Sequence, residues 1–279
     1  MERMKSIDRL VEIIQEIASG EYSNDIMGLT CEDQPETVRT IAEAMGLMMV
    51  KVEAREYRLE LMVKELEALN EKIKQNTIQA VSTMAHALEA RDAYTEGHAA
   101  RVADIACKIA RQMGLAEEEI EFIRLGGILH DIGKIGFPDR LFEPHAHKNP
   151  PDLVKQITRH PRTGAEILRD LDFLGPALEY VHCHHERPDG KGYPRHLKDE
   201  QIPLGARILA VADAFDAMTT DRPYQKGRRP EAALDILKKS AGKKWDDRCV
   251  SAFDAVLTGA KSKSEADEHR SNYRRPRMT

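Results

Sequence analysis

Apolar residues recur in heptads from Val38 onward. Val38, Met45, Val52, Leu59, Leu66 and Ile73 form one row, and Ile41, Met48, Met62 and Leu69 form the other, which Arg55 and Asn76 interrupt. A stripe only two positions wide cannot bury itself in a globular core, so the spacing predicts a long helix that pairs with a second copy as a parallel coiled coil. Ahead of it, Ile7, Leu10, Val11, Ile14 and Ile17 mark a shorter amphipathic helix that should stop near Gly20, before a polar connector containing Asp33 and Pro35. From Ile78 to about Gly259 strand patterning is poor. Helical periodicity is clear there in "HAARVADIACKIARQMG", "EEEIEFIRLGGILHD" and "GARILAVADAFDAM", among others. The pattern therefore predicts an all-α chain in three parts: signalling and dimerisation helices over 1–77, a multi-helix bundle over 78–259, and a fraying mixed-charge tail over 260–279.

Composition narrows this picture. A chain of 279 residues with 41% hydrophobic content has room for one large domain plus an accessory. No apolar run approaches the ~20 residues of a membrane span, and the stretch Met1 to Gly20 is charged where a signal peptide would be apolar, so a cytoplasmic location is expected. Cys31, Cys107, Cys183 and Cys249 form no C-x-x-C pair, which predicts reduced thiols. With 42 basic against 47 acidic residues the chain has no overall attraction for DNA, and any phosphate binding must come from a local basic cluster.

Ligand-type side chains form a series through the helical region: His98, the pair His130 and Asp131, His160, the pair His184 and His185, and Asp213. Successive groups are separated by about one helix and its return loop, so each can enter a single cavity from a different helix. Five imidazoles and two carboxylates exceed what one ion needs, which argues for two, with Asp131 as the natural bridge. His86, His145, His147, His182, His196 and His269 lack an acidic neighbour at a comparable helix end and are read as ordinary side chains, and Cys183 as a packed thiol. Adjacent histidines diverge on a helix, so His184 and His185 can share an ion only where the helix ends, and Pro188, Gly190 and Gly192 supply that ending.

These residues carry a resemblance. "YTEGHAARVA" at 94–103, "HDIGK" at 130–134, "RHPRTGAEIL" at 159–168, "HHERPDGKGYP" at 184–194, "ADAFDAMTTDRPY" at 212–224 and "GKKWDDRCVSAF" at 242–253 resemble the HD-GYP family, in the family's order. The resemblance implies an HD-domain bundle and a metal-dependent phosphodiesterase that opens cyclic di-GMP to linear pGpG or GMP in bacterial second-messenger signalling. It also implies that the seven residues of the series are the metal ligands. "FEPHAHKNPPDLV" departs from the family's usual loop after the HD helix. Tyr94 stands where some members carry a glutamate for a third ion, so two ions are expected. The helix, connector and helix at the amino terminus, with "IASGEYSNDIMGL", resemble a HAMP signal-relay module, "DQPET" replacing the usual acidic opening of its second helix.

Roles beyond the ligands follow. Asp131 is the central catalytic ligand, and Lys134, one turn beyond His130, is expected to contact a phosphoryl oxygen. Arg187 and Lys191, with Arg195, form the local basic cluster, and Tyr193 is placed to stack on a guanine. Arg222, near Lys226, Arg228 and Arg229, is expected to hold the second phosphate. Histidine and carboxylate donors suit Fe or Mn and are also compatible with Zn. Two other readings remain: a non-catalytic cyclic-dinucleotide receptor or adaptor coupled to a signalling partner, and a phosphodiesterase for another cyclic or linear dinucleotide.

Overall fold

The computed structural model describes residues 2–20, 24–90, 97–138, 151–221 and 226–259. Tyr94, His145, His147, Arg222, His269 and the tail 260–279 lie outside them. The regular structure of the described residues is helical. Their only strand-like pairings are the isolated bridges Asp189 to Lys198 and Ala241 to Trp245. Among the described residues ten α-helices succeed one another: α1 (Glu2–Ala18), α2 (Glu36–Glu89), α3 (His98–Gln112), α4 (Glu117–Leu129), α5 (Pro151–Ile157), α6 (His160–Leu168), α7 (Ala177–Cys183), α8 (Leu204–Thr219), α9 (Pro230–Lys239) and α10 (247–259). No helix among the described residues is long and apolar enough to cross a membrane.

By its contacts the chain divides into two compact units, Met1–Gln75 and Asn76–Thr279. In the first, Leu10, Ile13 and Ile17 of α1 pack with Ile26 and Leu29 of a 3-10 turn and with Val38, Ala42, Met45 and Met49 of α2. Ser6 Oγ donates to Gln34 Oε1 at 2.6 Å, which sets the beginnings of the two helices side by side. They therefore run parallel. The core positions of α1 and α2 leave a second apolar set exposed: Ile7, Val11 and Ile14 on α1, and Ile41, Met48, Leu59, Met62, Leu66, Leu69 and Ile73 on α2.

The second unit begins with the last turns of α2, the segment "TIQAVSTMAHALE". Ile78, Val81 and Ala85 pack there on Leu125, Leu129, Ile132, Leu168, Leu174, Ala177 and Val181. The larger core joins α3, α4 and α8 to the C-terminal helices through Ile109, Ile123, Leu209 and Leu237, all fully buried. Each such side chain contributes roughly 1.5–3 kcal/mol by leaving water. Small residues set the helix spacing. A Cβ on Gly127 of α4 would lie 2.7 Å from Ala103 Cα of α3, so only glycine permits that approach. Helix α4 opens with Glu117, Glu118 and Glu119, favourable beside the positive helix start, and Glu119 accepts the Ala116 N–H at 3.1 Å.

Candidate metal centre

Helix ends deliver most of the site. His98 is the first residue of α3, His130 and Asp131 follow the last residue of α4, His160 opens α6, and His184 and His185 lie in the turn after α7 ends at Cys183. Asp213 alone comes from mid-helix, on α8. The beginning of α3 is held from elsewhere: Glu89, at the end of α2, accepts the Ala99 N–H at 2.6 Å. The "HDIGK" turn, a 3-10 segment over Ile132–Gly136, lies backbone to backbone on α6, where a Cβ on Gly133 would fall 2.0 Å from His160 O. That glycine lets Asp131 and His160 meet.

The seven ligand-type residues converge. Asp131 Oδ2 is 3.3 Å from His130 Nε2 and 3.9 Å from His98 Nε2, Asp131 Oδ1 is 3.3 Å from His160 Nε2, and Asp213 Oδ1 is 3.3 Å from His98 Nε2. Two groups each have donor atoms within 4.8 Å of one another: His98, His130 and Asp131, and His160, His184 and His185. The other ring nitrogens are fixed. His130, His160 and His184 Nδ1 each face a backbone carbonyl three residues back, Gly127 at 2.8 Å, Ile157 at 2.7 Å and Val181 at 2.7 Å. A carbonyl only accepts, so each Nδ1 carries the proton and each Nε2 turns a lone pair toward the neighbouring donors.

The donor set fits a divalent metal. His130 Nε2 is buried without a directed hydrogen-bond partner among the described residues, and buried polar atoms are rarely left so. Burial, reinforced by neighbouring imidazoles, holds His184 well below the usual histidine range and His185 at about 4; burial also lowers His160. These rings are therefore neutral and ready to ligate at pH 7. Burial disfavours the Asp131 anion, but Lys134, His130 and His160 outweigh it and hold the carboxyl well below its usual range. His98 is pushed up to about 10, because Asp213 and Asp216 together overcome its burial.

The remaining expected residues are placed as follows. Lys134 Nζ pairs with Asp131 Oδ2 at 2.5 Å. Tyr193 lays its ring against His185, with centroids 4.8 Å apart. Arg187 forks onto Asp189, and the exposed Lys191 donates its backbone N–H to Asp189 Oδ1 at 3.1 Å, so this part of the basic loop is internally braced. Arg195 pairs with Glu179 at 2.9 Å. Cys183 is buried, its thiol pushed up to about 12 by that burial and by Glu179, and does not belong to either ligand group.

Sequence reasoning missed three supports. Asp216 meets His98 Nδ1 at 2.7 Å and is itself gripped by Arg101 at 2.7 and 3.0 Å. Its position three residues after Asp213, on one face of α8, was the available signal. Glu186, 2% exposed, accepts the backbone N–H groups of Arg195 at 2.6 Å and Leu197 at 3.0 Å and so ties the glycine loop back beneath the histidine pair. Nothing in the pattern distinguishes it from a surface acid.

Residues 82–249 match the family model described as HD domain. The chain is similar to the cyclic di-GMP phosphodiesterase response regulator RpfG of Xanthomonas campestris pv. campestris, at 41% identity over 70% of this chain and 50% of that protein. It is also similar to a cyclic di-GMP phosphodiesterase of Thermotoga maritima, at 38% identity over 59% of this chain and 45% of the relative. The chain thus spans about half the length of the curated relatives it matches. Among solved structures, a cyclic GMP-AMP specific phosphodiesterase of V. cholerae shares the fold, with a TM-score of 0.52 and 21% identity over 65% of this chain and 48% of that one.

Proposed function

Because this chain belongs to the HD-domain family, and carries the motifs of its HD-GYP branch, we propose that it is a metal-dependent phosphodiesterase that hydrolyses cyclic di-GMP to linear pGpG or GMP. The observation that carries the reading is the stance of Asp131, with one oxygen 3.3 Å from His130 Nε2 and the other 3.3 Å from His160 Nε2. One carboxylate thereby addresses both histidine groups, as a bridge between two ions requires. His98, His130, Asp131 and Asp213 would hold one ion, and Asp131, His160, His184 and His185 the other. Fe or Mn suits these donors. When bound, such ions supply charge neutralisation and an acidified water for in-line displacement at phosphorus.

The protein's own groups bind and orient. Lys134, which pairs with Asp131, would meet a phosphoryl oxygen, and Tyr193, whose ring lies against His185, would stack on a base. Arg187, Lys191 and Arg222 complete the proposed substrate contacts, with Arg187 as an orienting residue braced by Asp189. Product analysis with cyclic di-GMP, 3′3′-cGAMP and linear pGpG tests the assignment. Preferential turnover of cyclic di-GMP supports it, preferential turnover of another dinucleotide redirects it, and tight binding without turnover turns the domain into a receptor.

The reading includes a parallel homodimer. The exposed rows of α1 and α2 would pair with those of a second copy, and Lys51 and Glu56 occupy positions that face each other between chains of such a pair. Packing changes in these helices would then reach the metal centre through α2.

A further inference from the structure

The site histidines are not held alike. His130, His160 and His184 rest their Nδ1 atoms on neutral backbone carbonyls, whereas His98 rests its Nδ1 on the carboxylate of Asp216 at 2.7 Å. Asp216 is 3% exposed and held from three sides. Arg101 of α3 donates Nε to Oδ1 at 2.7 Å and a terminal N–H to Oδ2 at 3.0 Å, and the Thr220 hydroxyl reaches Oδ2 at 3.3 Å. Asp213, one turn earlier on the same helix, faces the opposite ring nitrogen at 3.3 Å. His98 is therefore clasped between two carboxylates of α8, one on the ligating side and one behind.

We propose that Asp216, locked in place by Arg101, is a positioning residue that sets the affinity of one metal position only, the one reached by His98. The proposal rests on the two-ion reading above. A carboxylate behind an imidazole fixes its orientation and draws on the Nδ1 proton, which makes Nε2 a stronger donor than a carbonyl partner does, and losing such a partner typically weakens metal binding 10–100-fold. Among the described residues, His160 and His184 have backbone carbonyls behind them instead of a carboxylate, so the two positions would be unequal. Arg101 contributes through geometry: its planar fork holds both Asp216 oxygens, and a lysine cannot reproduce that grip.

The test is calorimetric titration of the metal-free full chain with Mn2+. The wild type should bind in two resolvable steps, and His98→Ala identifies which step belongs to this position by abolishing it. Asp216→Asn, which keeps the side-chain shape, should weaken that same step about 10–100-fold while leaving the other within about twofold. Arg101→Lys, a change at a partly exposed side chain, should weaken it by a smaller factor in the same direction, with metal-free helicity unchanged. Unchanged affinities in both variants, or equal weakening of both steps, would overturn the role assigned to Asp216. A wild type that binds a single ion would overturn the two-ion reading itself, and the assignment with it.

Discussion

His160 and His184 point their Nε2 atoms at each other across 3.2 Å, while both Nδ1 atoms are occupied by backbone carbonyls. Two neutral rings so fixed turn lone pair toward lone pair, an arrangement that a shared cation relieves. Metal should therefore stabilise the fold. Mn2+ at about 100 times its dissociation constant adds about 2.7 kcal/mol per site, a melting-temperature rise of roughly 5–10 °C at this size that a chelator reverses. An unchanged melting temperature on Mn2+ addition would show that the cluster takes no ion.

Asp131 touches both histidine groups, so its loss should be felt by both. Asp131→Ala is expected to lower turnover of the cyclic dinucleotide by more than about 10²-fold and to reduce bound metal, measured by elemental analysis, while far-ultraviolet dichroism stays helical. Wild-type turnover in this variant removes the bridging role.

Lys134 pairs with Asp131 and stands outside the proposed ligand set. Lys134→Ala should keep the full metal complement and lose activity, with KM raised or kcat reduced by about tenfold or more. Metal loss in this variant would mean that the lysine organises Asp131 instead of meeting phosphate.

The exposed α2 row includes Leu66 at 62% and Leu69 at 51% relative accessibility, too much apolar surface to be left to water over several turns. The full chain should run as a dimer in light scattering at micromolar concentration, and Leu66→Glu with Leu69→Glu should shift it to monomer without loss of helicity in the second unit. A monomeric wild type ends the pairing hypothesis.

Asp246 forms a buried pair with Arg207, at 2.7 Å and with both side chains less than 10% exposed. Burial raises the Asp246 carboxyl, but Arg207 and the Cys249 N–H outweigh it and leave the group below its usual value. Its stabilisation is accordingly complete above the unfolded-state value of about 4 and is lost as pH falls through the folded value. Asp246→Asn, which strands a buried guanidinium, should cost about 3–5 kcal/mol at pH 7 by urea unfolding, and the gap to wild type should narrow below pH 4. A gap that stays constant with pH would deny the ion pair this part in acid unfolding.

Periodicity alone specified an all-α chain, because helical spacing of apolar residues is a local property that every turn repeats. The spacing of histidines and aspartates by about one helix and its return loop also marked seven ligand-type residues without coordinates. The tertiary structure decided what those residues rest on. Asp216 and Arg101 are 115 residues apart in sequence, and Glu89 caps a helix that starts nine residues later. Such partners look like surface charges until helix packing buries them. Gly133 makes the same point, because its requirement comes from the backbone of α6, which no nearby pattern announces. Chemistry-bearing residue types are written into the sequence one by one, whereas orientation, tautomer and the division of donors into two groups arise only when distant helix ends meet in one buried cluster.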